Sequence, residues 1–145
     1  MEDAQMHCYQ HILMAIDSPM NEEFKAAQRA ASIARESGAS LSLLHVTKEL
    51  SRGMEFSLAS VADLENEIQK KAQHDIDEIG DRVGVPESQR FVRQGIANQT
   101  IFEHARRTKA DLIVVGNRRN GFMALFTVAR AILAKQPCDV LVVKE

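Results

Sequence analysis

QGIANQTIFEHARRTKADLIVVG, running from Gln94 to Gly116, decides how the rest of the chain is read. Its last part, DLIVVG, is a short run rich in Leu, Ile and Val, the pattern of a buried strand. Ahead of it, Asn98 is placed to cap a helix through about Arg107. Arg106, Arg107 and Lys109 then suit that helix's negative C-terminal end. Gln94 closes a more polar strand, RFVRQ. Strand, helix, strand is therefore packed into one stretch, and a helical connection of this kind joins parallel strands.

The same alternation extends outward in both directions. HILMAI ending at Ile16, LSLLHV ending at Val46 and DVLVVK ending at Lys144 complete a set of five strand-like runs. The first, fourth and fifth are almost continuously apolar, as in a sheet covered on both faces. RFVRQ is polar enough to lie near an edge. From about Met20 to Ser37, Phe24, Ala27, Ala31 and Ala34 recur at helical spacing, with Ser18-Pro19 as an entry and Gly38 as a stop. From about Val61 to Val83, Leu64, Ile68, Ala72, Ile76, Ile79 and Val83 form one stripe on an otherwise wet helix. A fourth helix, apolar nearly all round, is expected from near Gly121 to near Lys135. Right-handed crossovers place such helices on both faces of an open parallel sheet. The long connection from Thr47 to Ser60, with Met54, Phe56 and Leu58 alternating, reads either as a lid or partner surface or as a plain surface loop.

With 145 residues, 45% of them hydrophobic and 26% charged, the chain has the make-up of one folded domain. A tail over residues 1–9 and a domain over 10–145 are expected. The formal net charge of −2 supplies no global basic field, so neither nucleic acid nor an acidic membrane is expected as a partner. MEDAQMHCYQ is polar and acidic, unlike a signal peptide, and no apolar run approaches the roughly 20 residues that span a bilayer. A cytoplasmic location follows as the expectation. Cys8 and Cys138 are read as reduced thiols. His7, Cys8 and His11 lie together in sequence but lack partners elsewhere, and no metal site is expected.

Ligands in open parallel sheets bind at the carboxyl ends of the strands. Asp17 after the first strand and Gly116 after the fourth are the positions to watch. Asp17 suits hydrogen bonds from a base or sugar, and equally suits a helix cap shared with Ser18. His45 ends the second strand; a lone histidine there reads as packed or hydrogen-bonded rather than as a base. No Gly-x-Ser-x-Gly elbow, metal-spaced cluster or Walker sequence is present, and no catalytic residue is assigned.

Together these pieces resemble the universal stress protein family. ILMAIDSP is similar to the family's opening strand and Asp, SLLHV to its second strand, Gln94–Gly116 to its third strand end, third helix and fourth strand, and CDVLVVK to its closing strand. The resemblance implies an α/β fold with an open five-stranded parallel sheet of order 3-2-1-4-5, Rossmann-like and of the adenine nucleotide alpha hydrolase-like kind. It also implies a homodimer, a role in survival under stress and no established reaction. ATP-binding members resemble Gly-x-x-Gly, nine residues, then Gly followed by Ser or Thr. Glycines there let backbone N–H groups approach phosphate oxygens at a helix start. In VVGNRRNGFMALFTVARAIL, Gly116 matches the first glycine, but Arg119 stands at the second. Counting back from the last strand puts Phe126 at the third glycine and Thr127 at the hydroxyl position. Counting forward puts Ala129 and Arg130 there. Neither register finds a glycine, since none follows Gly121.

Asp17 and Val46 match the adenine side, so the place for a nucleotide is kept while the phosphate turn is lost. Arg118 and Arg119 either hold phosphate without glycines or lie in a solvated loop. The leading expectation is a non-catalytic stress-response homodimer that acts through a protein partner and has no cofactor. The alternative is an adenine-nucleotide sensor or weak ATPase that takes ATP or AMP. Val140, Leu141, Val142 and Val143 would make the dimer strand, because a long apolar outer edge tends to be paired or covered.

Overall fold

The computed structural model describes residues 9–17, 24–48, 58–117 and 138–144. Its five strands are β1 (His11–Ile16), β2 (Ser40–Thr47), β3 (Arg90–Gln94), β4 (Leu112–Asn117) and β5 (Asp139–Lys144). They form one parallel sheet in the order β3-β2-β1-β4-β5. Three helices are described: α1 (Phe24–Ser37), α2 (Leu58–Val83) and α3 (Ala97–Thr108). The expected sheet and its order are present. The expected fourth helix falls outside the described residues, as do Cys8, Met54 and Phe56.

Side chains alternate along each strand, so the sheet builds two cores. Ile12, Met14 and Ile16 of β1 join Leu41 and Leu43 of β2 beneath the alanines of α1 and Ala72, Ile76 and Ile79 of α2. Leu13 and Ala15 join Leu44, Ile113 and Val115 beneath Ile101 and Ala105 of α3. Small side chains on α1, with Ala26, Ala27, Ala30, Ala31 and Ala34 all buried, let that helix lie close to the sheet. α1 ends as expected at Gly38, whose φ of 71° is cheap only for glycine, and Ala39 N–H returns to Ala34 O at 2.9 Å.

Four details depart from the pattern reading. β1 and β4 are buried on both faces, but β5 is not: Val142 is 44% exposed, because an edge strand has a neighbour on one side only. Leu64 belongs to the apolar stripe of α2 yet is 48% exposed. The turn around it is not free of the sheet: Val61 is buried at 9%, and Glu65 accepts a hydrogen bond from Gln94, so of the stripe Leu64 alone turns outward. α2 also starts at Leu58, three residues before the stripe begins, which shortens the connection after β2. Asn98 does not cap α3. The chain leaves β3 through Gly95, at φ 154°, and the cap position falls on Ile96, with no side-chain bond.

Two polar ties brace the amino edge of the sheet. Asp111 accepts from the backbone N–H groups of Gln10 and His11, both at 3.0 Å, and its own N–H returns to His11 O at 2.9 Å. Tyr9 O–H donates to Asp139 Oδ2 at 2.6 Å, which pushes the Tyr9 hydroxyl up to about 12. At the far end of α2, Arg90 donates to Val85 O, Asp77 and Asp81. Its side chain is only 6% exposed and lies where a Cβ on Gly80 would stand.

His104, on the inner face of α3, is 3% exposed, and neither ring nitrogen has a hydrogen-bond partner. Its ring sits 4.7 Å from that of Phe91. Burial first, then the charges of Arg107, Arg93 and His11, lower its pKa below the usual 6.5. The unfolded chain therefore binds this proton more readily than the folded one, and stability is lost as pH falls below about 6.5. The slope from this one group reaches at most about 1.4 kcal/mol per pH unit. His11, also lowered mainly by burial, adds in the same direction. Urea unfolding between pH 8 and pH 5 should show this fall. A His104→Leu variant should make the fall shallower, leaving the share of His11, while matching the parent at pH 8, because it removes two unsatisfied buried nitrogens.

Candidate functional site

The carboxyl edge of the sheet is set by register. Ile16 is the last paired residue of β1 and lies opposite His45, so the next residues, Asp17 and Val46, fall side by side. On the other flank Ala15 pairs with Val115, which brings Gly116 level with Ile16. Three of the residues singled out in the sequence, Asp17, Val46 and Gly116, thus share one edge around β1. The strand order reverses there, since β1 connects outward to β2 on one side while β4 lies on the other. Such a switch point opens a crevice between adjacent loops. Arg118, Arg119, Phe126 and Thr127 lie outside the described residues, as does Ser18, the proposed cap partner of Asp17.

Side chains around this edge are held by hydrogen bonds to the main chain. Asp17 is exposed and Val46 half-buried, with the Val46 side chain packed against the α3-side core. His45 is buried, and its Nδ1 lies 2.7 Å from Ile16 O, so the imidazole clips the ends of β1 and β2 together. This is a packed, bonded histidine, as the sequence suggested. Gly95 N–H donates to Thr47 O at 2.9 Å and fixes the turn after β3 against the end of β2.

Pattern reading missed the polar closure beside Val46. Gln69 of α2 donates to Thr47 Oγ1 at 2.7 Å, and Gln94 donates to Glu65 at 3.0 Å. Both α2 residues sit on the wet side of the stripe, where periodicity assigns them only to solvent. Elsewhere, His11 bonds Ser40 rather than standing ready for a metal, and among the described residues no group of three His, Cys, Asp or Glu could hold one. Cys138 packs against the α3-side core with its thiol 3.4 Å from Ala110 O. Burial, and after it Asp139 and Asp111, raise its pKa, so the thiolate is disfavoured. No helix among the described residues is long and apolar enough to cross a membrane.

The parallel sheet of order 3-2-1-4-5 is one part of the comparison with known proteins. The other is sequence: the model of the universal stress protein family matches residues 8–144. The chain belongs to the universal stress protein family. Universal stress protein A homolog 1 of Coxiella burnetii is 36% identical over 143 residues, covering 95% of this chain and 97% of the relative. Universal stress protein A of Escherichia coli K12 is 28% identical over 139 residues, covering 93% and 94%. Among solved structures, universal stress protein UspA from Lactobacillus plantarum superposes with a TM-score of 0.76 at 22% identity, over 94% of this chain and 98% of that one. A universal stress protein crystallised in complex with cAMP superposes at 0.66 and 23% identity, with the same coverage.

In this family member the His45 clip is open to direct measurement. A His45→Phe variant keeps the ring volume but leaves Ile16 O without that partner. It should still fold, and urea unfolding at pH 8 should show a loss of about 1–2 kcal/mol.

Proposed function

We propose that this universal stress protein is a non-catalytic, cytoplasmic regulator of the stress response that works as a homodimer joined through β5 and acts on a protein partner. One observation carries the reading. β5 is the outer strand, its far edge has no neighbour among the described residues, and Val142 stands 44% exposed on it between Leu141 and Val143. An edge of this length and apolar content invites strand pairing with another chain. Pairing with a second copy is self-complementary and closes after two subunits, which avoids open-ended assembly. The absence from the sequence of an elbow serine or a Walker sequence supports the non-catalytic half of the reading.

Sedimentation at micromolar concentration should give a dimer. A Val142→Lys variant should raise the dimer dissociation constant at least about tenfold, a loss of about 1.4 kcal/mol. A monomeric parent, or an undisturbed dimer in the variant, would contradict the β5 interface.

A second reading, an adenine-nucleotide sensor or weak ATPase, draws support from Asp17, Val46 and Gly116 along one edge and from the cAMP complex of a relative of like fold. The sequence weighs against ATP, since Arg119 and either Phe126 or Ala129 stand where backbone N–H groups would meet phosphate oxygens. Each lost charge-assisted hydrogen bond costs about 1.5–3 kcal/mol. Two such losses turn a micromolar site into a millimolar one. Calorimetric titration with Mg-ATP should therefore show affinity of millimolar order or weaker, unchanged by Asp17→Ala. Micromolar affinity that vanishes in Asp17→Ala, or in a joint Arg118→Ala and Arg119→Ala variant, would favour the nucleotide sensor instead.

A further inference from the structure

Away from the carboxyl-edge residues and from β5, a groove of about 500 Å³ lies between α1 and the last turn of α2. Lys25, Gln28, Arg29, Ser32 and Arg35 of α1 line it, and Arg82 of α2 closes it. These α1 positions recur at helical spacing and place three cations along one face. Among the described residues no carboxylate lines the groove. The ion pairs among the described residues are Lys71–Asp75, Arg90–Asp77 and Arg90–Asp81, and none of the four groove cations takes part. In a chain with 20 acidic and 18 basic residues, these four cations have no ion-pair partner among the described residues, and like charges lining one groove disfavour one another. An anion would relieve that repulsion.

Two of the guanidinium groups are already positioned. Arg82 Cζ rests 3.7 Å from the centroid of the Phe24 ring, and Arg35 Nη2 donates to Ser32 Oγ at 3.2 Å. Groups held before binding lose less freedom when a ligand arrives. Three of the four cations are arginines, whose planar forks suit the paired oxygens of phosphate. From Lys25 to Arg35 the helix rises about 15 Å, so one small anion can meet only part of the set. Among the described lining residues only Ala31 and Val83 are apolar, little surface for the aromatic anchors of a protein partner.

We propose that this groove binds a linear oligophosphate, with Lys25, Arg29, Arg35 and Arg82 as its cationic contacts and Gln28 and Ser32 as neutral donors. The site is independent of the β5 dimer. A nucleotide caught here by its phosphates would be indifferent to Asp17→Ala and displaced by tripolyphosphate, so the two sites remain separable.

The test is calorimetric titration of the full chain with sodium tripolyphosphate at about 50 mM salt, where exposed charges are weakly screened. Saturable binding is expected, falling at least tenfold in a joint Arg29→Gln and Arg35→Gln variant and unchanged in a joint Arg106→Gln and Arg107→Gln variant. The second pair removes the same charge from α3, on the opposite face of the sheet. Thermal unfolding of both variants checks that the fold is kept. If the α1 variant fails to fold, Lys25→Gln takes its place and should weaken binding at least threefold. Equal loss in the α1 and α3 variants would reduce the effect to net charge and overturn the site. So would absence of saturable binding by the parent chain. Tighter binding of hexaglutamate than of tripolyphosphate would overturn the phosphate assignment in favour of an acidic peptide.

Discussion

The structure depends on the burial of β1 from both sides at once. Ile12, Leu13 and Met14 are wholly inaccessible to solvent, and Ala15 and Ile16 nearly so. A strand in that position needs a neighbour along each edge and a helical layer over each face, because its backbone groups cannot turn to water. β2 and β4 supply the edges, α1 with α2 one face and α3 the other. Slipping β1 by one residue would exchange its two faces and put Leu13 under α1 and Met14 under α3. The small α1 face and the larger residues under it are matched to one register only.

The two ends of that strand are secured differently. At the amino edge, Asp111 receives two backbone N–H groups from the residues entering β1, while Ser42 donates to Gln89 at 2.6 Å and so joins β2 to the turn before β3. These are closed, mutually satisfied ties. At the carboxyl edge the ties are made from below, by His45 to Ile16 O and by Gly95 N–H to Thr47 O, and Asp17 stands exposed above them. The parallel arrangement puts every βα turn on that same edge.

Arg90 shows how one long-range contact fixes a local feature. Its guanidinium crosses the space beside Gly80 and donates to Asp77, Asp81 and Val85 O. Gly80 in the middle of an apolar stripe looks in sequence like a weak point in α2. In the folded chain it is the gap through which β3 is anchored to α2. The charged pairs themselves contribute modestly, since Asp81 is largely exposed. The buried end of the contact, at Val85 O, carries most of its weight.

The family, the five strands and their parallel pairing were legible in the sequence, because continuous Val-Ile-Leu runs and helical spacing are local signals that survive in any context. The places of Asp17, Val46 and Gly116 at strand ends were legible for the same reason. Tertiary structure decided the rest. It left Leu64 exposed while burying Val61 one turn before it, because the side of α2 that meets the sheet is set by packing rather than by the stripe alone. It moved the start of α3 to Ala97, because the turn through Gly95 is tied to Thr47. It buried His104 with both nitrogens unsatisfied, although its spacing from Ile101 and Ala105 differs little from that of an ordinary helical residue. It also gathered Arg82 beside Lys25, Arg29 and Arg35. The sequence has no record of which helix end will face those α1 cations. Local pattern sets which side chains a helix shows on one face; only packing decides what that face meets.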